Sequence, residues 1–377
     1  MKYSKILLTA LSIAFLQSCS DDDAIVSTDD AKLNSSYDVA RLKSVTIEPT
    51  MSGYENATFT WKLGNTVIGN EQTLGFVSDQ AGSYDLTLEI KSASKSIHLK
   101  TTVKVQQETT TYSKYIAQVF DYLPSIGQFT NKLPLYEAGD TKATMATKAG
   151  KALVGDKPSM ITLGGYGGYV VFGFDHTIVN KVDKRDFKVL GNGFAGSSEP
   201  GIIMVAYDKN KNGVPDDNEW YEIAGSEYAN PKTIKNYSIE FQKPTVEDLV
   251  PNPQYVKWTD NQGNSGYKTK NIYHKQSYYP LWFGDNQLKF SGSLLPNNYT
   301  ENNGIWTGKQ YAYGYADNGQ NSSEDSNIDI DWAVDKNGNK VKLMGIDFIK
   351  VYTATNQEAG WLGEISTEVA GAYDLHL

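Results

Sequence analysis

The chain has 377 residues, and its 35 Lys and Arg against 44 Asp and Glu leave a formal net charge of −9. That balance excludes the basic footprint that neutralises phosphates, so no nucleic-acid partner is expected. Aromatic residues make up 12% of the chain, with 25 tyrosines beside 33 glycines, and few runs have helical periodicity. Such a composition points to β-sheets joined by turns.

At the amino end, Lys2 and Lys5 precede the apolar run "ILLTALSIAFL", which ends in "LQSC". The run is too short to span a bilayer and reads as a secretory signal over 1–18. Cys19 is the only cysteine, so it has no partner for an internal disulfide and needs another role. Residues 19–37 are polar, acidic and aperiodic, which predicts a flexible tether. The signal, Cys19 and the following "SDDD" resemble the lipoprotein signals and export tags of Bacteroidetes surface proteins. The resemblance implies lipidation of Cys19 and anchoring on the outer face of the outer membrane.

From 38 to 106 the runs "LKSVTIEP", "ATFTWKLG", "GSYDLTLEI" and "SIHLKTTVKV" alternate apolar and polar residues. Strands at that spacing predict a small β-sandwich, with Trp61 in its core and Tyr84 at a corner. The block from Thr58 to Ile90 resembles the PKD-like, immunoglobulin-type modules of bacterial surface proteins, which implies a spacer domain. Residues 107–117 read as a linker. Beyond them, "YVVFGFDHTIVN", "GIIMVAYD", "NYSIEFQKP" and "IDFIKVYTA" continue the β pattern without a second break. One jelly-roll-like sandwich with long loops over 107–377 is expected, so the whole chain is all-β. Only 141–155 carries a helical pattern.

The stretch "DKNKNGVPDDNE" places Asp208, Asn210, Asn212, Gly213 and Glu219 at positions 1, 3, 5, 6 and 12 of a calcium loop. Oxygen donors at alternate positions wrap a hard cation, the Val214 carbonyl and Asp216 can add to the shell, and Glu219 closes it. The flanking runs are strand-like and Pro215 disfavours a helix, so a structural calcium between two strands is expected rather than a sensor. "DKNGNK" at 335–340 lacks the closing carboxylate and predicts an Asn-Gly turn.

No catalytic set assembles. The four histidines are far apart, "GSSEPG" lacks a nucleophile elbow, and Glu199 with Asp175 is one of many conceivable carboxylate pairs. A binding protein, not an enzyme, is expected. Two segments suit a ligand with apolar faces and hydrogen-bonding edges: "NIYHKQSYYPLWFGD", with Gln276, Tyr278, Tyr279 and Trp282, and "NNGIWTGKQYAYGYADNGQN", with Trp306, Tyr311 and Tyr313. The competing expectation is that these tyrosines are half-buried strand residues.

The runs "SMITLGGYGGYVVFGFDHTIVN", "GNGFAGSSEPGIIMVAYDKNKNGVPDDNEWYEIAGSEY" and "GIDFIKVYTATNQEAGWLGEISTEVAGAYDLHL" resemble PKD-like surface lipoproteins of gut Bacteroidetes, among them the cobalamin-binding ones (the BtuH type). That resemblance implies non-covalent binding of cobalamin or a related corrinoid and work beside an outer-membrane transporter. A calcium-stabilised glycan-binding lipoprotein is the alternative.

Overall fold

The computed structural model describes residues 30–156 and 159–377. The expected signal, Cys19 and the "SDDD" tag lie outside the described residues.

The amino-terminal module is a five-stranded sheet in the order Ser36–Ala40, Ser96–Gln106, Gly82–Lys91, Thr58–Leu63, Thr66–Gly69, whose first pairing is parallel and whose others are antiparallel. Ser96–Gln106 buries every second residue, from Ile97 to Val105, because one face of the sheet meets the core and the other meets water. Trp61 is central to that core, and its indole N–H donates to the Glu71 carbonyl at 2.9 Å. Tyr84 makes the corner, donating to the Gln80 carbonyl at 2.8 Å. Ala31–Lys32 pairs with Thr50–Met51. With this pairing and that of Ser36–Ala40, residues 31–32 and 36–40 are strand residues of the module, which corrects the 30–37 part of the tether expected over 19–37. The segment 30–37 is too short and polar to show alternation. Its place is fixed by backbone bonds to distant strands.

The larger unit is built on an antiparallel sheet in the order Gln118–Leu123, Tyr169–Val179, Gly345–Thr353, Gly201–Ala206, Trp220–Ile223, Ala333–Val334. Tyr315–Ala316 completes the free edge of Gly201–Ala206. The sheet is covered on both faces, which is why its strands read as near-continuous apolar runs. On one face Val170, Phe172, Ile203, Val205, Ile349 and Val351 meet the helix Lys142–Leu153 and the three-stranded sheet that carries Phe187, Val189 and Ala372. The helix begins in a Thr141/Thr144 capping box and buries Met145, Ala149 and Leu153, one stripe at four-residue spacing. On the other face Ile202 and Tyr352 pack with Tyr311 and Tyr315, and the Tyr352 hydroxyl accepts the Ser293 N–H at 2.9 Å. Ser293 belongs to a four-stranded sheet, Ser265–Lys270, Asn252–Asp260, Ile234–Gln242, Gln287–Leu294, which makes the further layer. The class is all-β, in stacked sheets. "GGYGG" is a close backbone crossing: a Cβ at Gly168 would sit 1.8 Å from the Leu163 carbonyl oxygen.

The module does not hang free as a spacer. Leu42 and Val77 form a buried cluster with Val179 of the central sheet, and Met344 packs against both this cluster and the module core. Thr177 donates its backbone N–H to the Leu42 carbonyl at 2.8 Å, and Thr46 Oγ1 donates to the Lys209 carbonyl at 2.7 Å. The expected linker is held down too, since Ser113 N–H donates to Asp175 Oδ2 at 3.0 Å. Gly75 lets the Tyr207 ring lie against the module, because a Cβ at this position would come within 2.6 Å of that ring. Gly75→Val should therefore push the two units apart. Calorimetric melting is expected to split from one transition into two, with faster proteolysis within 107–117; a single unshifted transition would show that this contact does not couple them.

Candidate functional site

The 208–219 loop joins two paired strands, Gly201–Ala206 and Trp220–Ile223, as the flanking sequence predicted. Asp208 accepts the N–H groups of Asn212 and Gly213 at 3.1 and 2.8 Å, and Gly213 takes φ +79° to close the turn. The amides of Asn210 and Asn212 converge on Asp216 Oδ2 at 2.6 and 2.9 Å. Glu219 is buried and accepts the Lys209 and Asp216 N–H groups at 2.7 and 3.2 Å. Burial raises its carboxyl above the ordinary value, and Asp208 and Asp216 push in the same direction. Buried like charges among oxygen donors fit a hard cation chemically.

The aromatic candidates separate sharply. Tyr278 and Tyr279 are core residues of the four-stranded layer. Tyr278 meets Tyr255 edge-on at 5.4 Å, and the Tyr279 hydroxyl donates to the Asp285 carbonyl at 2.9 Å. Neither ring offers a face to a ligand, which corrects that expectation. The paired tyrosines fill the space under the sheet because Asn131 ties down the Ser277 and Tyr279 carbonyls. Tyr311 is buried as well, donating to the Pro296 carbonyl at 2.5 Å. Trp282 is half-buried, stacked at 24° against both Tyr122 and Tyr136. Gln276 is bonded to the Gln128 carbonyl. Tyr313 is exposed and lies 4.6 Å from the Trp332 ring. Trp306 is half-buried against Gly360, where a Cβ would meet its indole nitrogen at 2.5 Å.

Trp306 leads to a surface that takes Tyr273 and Ile305 from the two segments singled out in the sequence and adds Phe194 and Trp361, which were not. Its hairpin, Tyr299–Asn302 with Ile305–Gly308, is tied to the 192–198 turn by Gly308 N–H donating to the Gly196 carbonyl at 2.8 Å. Beside Gly360, the Leu362 carbonyl accepts from Gln128 Nε2 at 2.9 Å, and Gln128 Oε1 accepts from Asn271 Nδ2 at 2.8 Å. Asn271 Oδ1 in turn fixes the N–H groups of Tyr273 and His274 at 3.0 and 2.9 Å. These adjoining loops expose Phe194 at 57%, Ile305 at 68%, Trp361 at 60% and Tyr273 at 65%. Scattered single exposures are ordinary, but four large apolar side chains on loops joined by these contacts make this face the candidate contact surface.

Beneath it lies a buried carboxylate cluster. Oxygens of Glu199, Asp317 and Glu368 lie within 4.8 Å of one another. Asp317 Oδ1 accepts the Asn192 and Gly193 N–H groups, both at 2.7 Å, and Oδ2 accepts that of Glu368 at 2.9 Å. Glu368 Oε1 accepts from Thr162 and Ser366 hydroxyls at 3.0 and 2.6 Å. Burial pushes Asp317 up to about 8, and the Glu368 charge adds to the rise. Glu199 is raised by burial and by Glu368 and Asp317, and Glu368 is itself raised by burial. Glu199 therefore pairs with this group and not with Asp175, which bonds His176 Nδ1 at 2.9 Å at the seam with the module.

Residues 32–92 match the family model of the PKD-like domain. No curated protein matches the chain. Among solved structures, the chain is similar to a quinonprotein alcohol dehydrogenase-like protein of Bacteroides thetaiotaomicron, at 11% identity over 65% of this chain and 50% of that one, with a TM-score of 0.19. It is also similar to a SusE-like surface-located polysaccharide-binding protein from the heparin utilisation locus of the same organism. There the identity is 9%, over 80% of this chain and 60% of that one, with a TM-score of 0.20. This chain thus spans less than two thirds of either structure. Likenesses at these scores carry no argument about the site.

The carboxylate cluster makes stability depend on pH in a defined direction. Its folded-state values stand above the unfolded ones, so the bound protons stabilise the fold below the ordinary carboxylate range, and that stability is lost as pH rises toward about 8 at Asp317. The melting temperature is expected to fall as pH rises from about 5 to about 9, and Glu199→Gln should flatten the slope. An equal slope in the variant would show that the cluster does not hold the proton.

Proposed function

We propose that the protein is a lipid-anchored binding protein of the outer-membrane surface that captures cobalamin or a related corrinoid and assists its uptake through an outer-membrane transporter. The observation that supports it is the exposed set Phe194, Ile305, Trp361 and Tyr273 on adjoining loops, with Trp306 half-buried against Gly360. A corrinoid has an apolar ring edge, many amide arms and a nucleotide tail. Rings beside backbone and amide groups can grip such a ligand without reacting with it. The family resemblance of the 107–377 segment supports the choice of ligand, and the exposed rings support the loop face as its place. A glycan-binding surface protein would use the same exposed rings and is the second reading.

Calcium at Asp208, Asn210, Asn212, Val214, Asp216 and Glu219 belongs to the same proposal, in a structural role. It would order the hairpin connection that meets the module through Lys209. A ligand that binds only the folded state stabilises it by about 2.7 kcal/mol at a hundredfold excess over Kd. Chelator should therefore lower the melting temperature, and Asp208→Ala should abolish that response. A wild-type melt that ignores both chelator and added calcium would reduce the loop to a polar turn.

Calorimetry of the full chain with cyanocobalamin, beside a panel of host and plant glycans, tests the ligand. Removing a central aromatic contact costs about 2 kcal/mol, so Trp361→Ala or Trp306→Ala should weaken binding roughly thirtyfold. Saturable heat with a glycan and none with cobalamin would move the reading to carbohydrate.

A further inference from the structure

The seam between module and large domain carries an open cleft of about 420 Å³. We propose that this cleft is a second binding site, distinct from the aromatic loop face, and that it takes a neutral pyranose ring such as the end of a glycan. Its volume lies within the range of small-molecule sites, about 300–1,000 Å³, and such sites favour domain interfaces.

Two irregularities in the central sheet open it. The ladder between Gln118–Leu123 and Tyr169–Val179 slips between Val119 and Asp121. On the other side, Gly173 pairs with Phe348 and Ile178 with Ile346, so residues 174–177 oppose Asp347 alone. Bulges of this kind re-aim side chains and gather next to functional sites. Here they leave an aromatic wall of Phe120, Phe174 and Phe348, with Phe120 and Phe348 edge-on at 5.1 Å. Lys43 and Ser44 of the module form the opposite wall.

The polar groups around that wall select the ligand. Lys43 Nζ donates to the Asp175 carbonyl at 2.7 Å and lies 5.3 Å from the Tyr112 ring; Lys211 Nζ donates to Ser44 Oγ at 2.6 Å. An ammonium has three donors, so each retains capacity. Asp175 and Asp347 face them as acceptors, engaged with His176 and Ser113 in one case and with Ser44, Thr177 and the Asp208 N–H in the other. Asp208 turns both oxygens into its own loop, and His176 is held on its far side by Asp374 at 2.9 Å. Two ammoniums, Lys43 and Lys211, stand against Asp175 and Asp347, and the third lining carboxylate, Asp208, is turned to its own loop N–H groups, so neither sign dominates the cleft. A charged ligand would meet both signs with little net attraction, and an apolar ligand would leave donors and acceptors unpaired. Vicinal hydroxyls, each donor and acceptor at once, match both sets while a sugar's C–H face covers the rings.

Saturation-transfer NMR and titration of the full chain with methyl β-D-glucopyranoside and methyl α-D-mannopyranoside, beside glucuronate and glucosamine, test this. Saturable binding of at least one neutral pyranoside is expected. Lys43→Met and Gln118→Ala, the latter an exposed residue of the cleft lining with an amide to offer a hydroxyl, should each weaken it by about fivefold or more, as loss of a hydrogen bond does. Trp361→Ala should leave it unchanged, which separates this site from the loop face. Because Gln118→Ala removes no buried group, its unchanged melting temperature keeps the comparison valid even if Lys43→Met loosens the module. No saturable binding of either neutral pyranoside, tighter binding of a charged analogue, equal affinity in both cleft variants, or loss in Trp361→Ala would overturn the proposal.

Discussion

The Asp317 carboxylate is the knot on which the loop face depends. Its two oxygens accept N–H groups from Asn192, Gly193 and Glu368, and its own carbonyl accepts the Glu199 N–H at 2.9 Å. Asp317 itself takes φ +50°, a left-handed conformation in which Asp is tolerated better than most residues. Loops that run through a protein interior must satisfy their backbone polar groups without a ladder. Here buried side chains do so: Asp317 for the 191–193 turn, Gln357 for the Asn298 N–H, Glu364 for the Gln128 N–H, and Asn131 for two carbonyls of the 277–279 segment. Carboxylates forced close together in this way have their charged forms disfavoured, which is why Glu199, Asp317 and Glu368 are all raised above the ordinary carboxylate value.

That construction bears on binding. Irregular segments fixed by satisfied internal hydrogen bonds lose little freedom when a ligand arrives, and preorganisation of this kind favours affinity. The β-layers below supply the rigid base: Gly345–Thr353 is paired on both sides, and both faces of its sheet are covered. The PKD-like module adds to the same body, because its contacts with Val179, Lys209 and Met344 leave it no independent surface on that side.

Local patterns carried much of this into view from the sequence. Alternation announced an all-β chain, small and basic residues over 141–155 announced the single α-helix among the described residues, and "DKNKNGVPDDNE" placed a polar loop between paired strands. Tyr278 and Tyr279 misled because adjacent aromatics beside Pro280 read alike in a binding loop and in a core. Their burial is decided by the distant strands Ile234–Gln242 and Gln287–Leu294 that close over them. Trp361 and Phe194 lay in glycine-rich stretches with no periodicity to flag them. The carboxylate cluster joins residues 199, 317 and 368, and nothing short of the folded chain brings them together. The docking of the module escaped for the same reason, since Gly75 and Tyr207 each look like ordinary strand residues.

The place where the ligand touches is the decisive observable. Hydrogen exchange of the full chain, with and without cyanocobalamin, measures this amide by amide. Added protection confined to the loops 192–198, 271–276, 303–308 and 359–364 is the predicted result. Protection elsewhere with those loops unchanged, or none at saturating ligand, would contradict it.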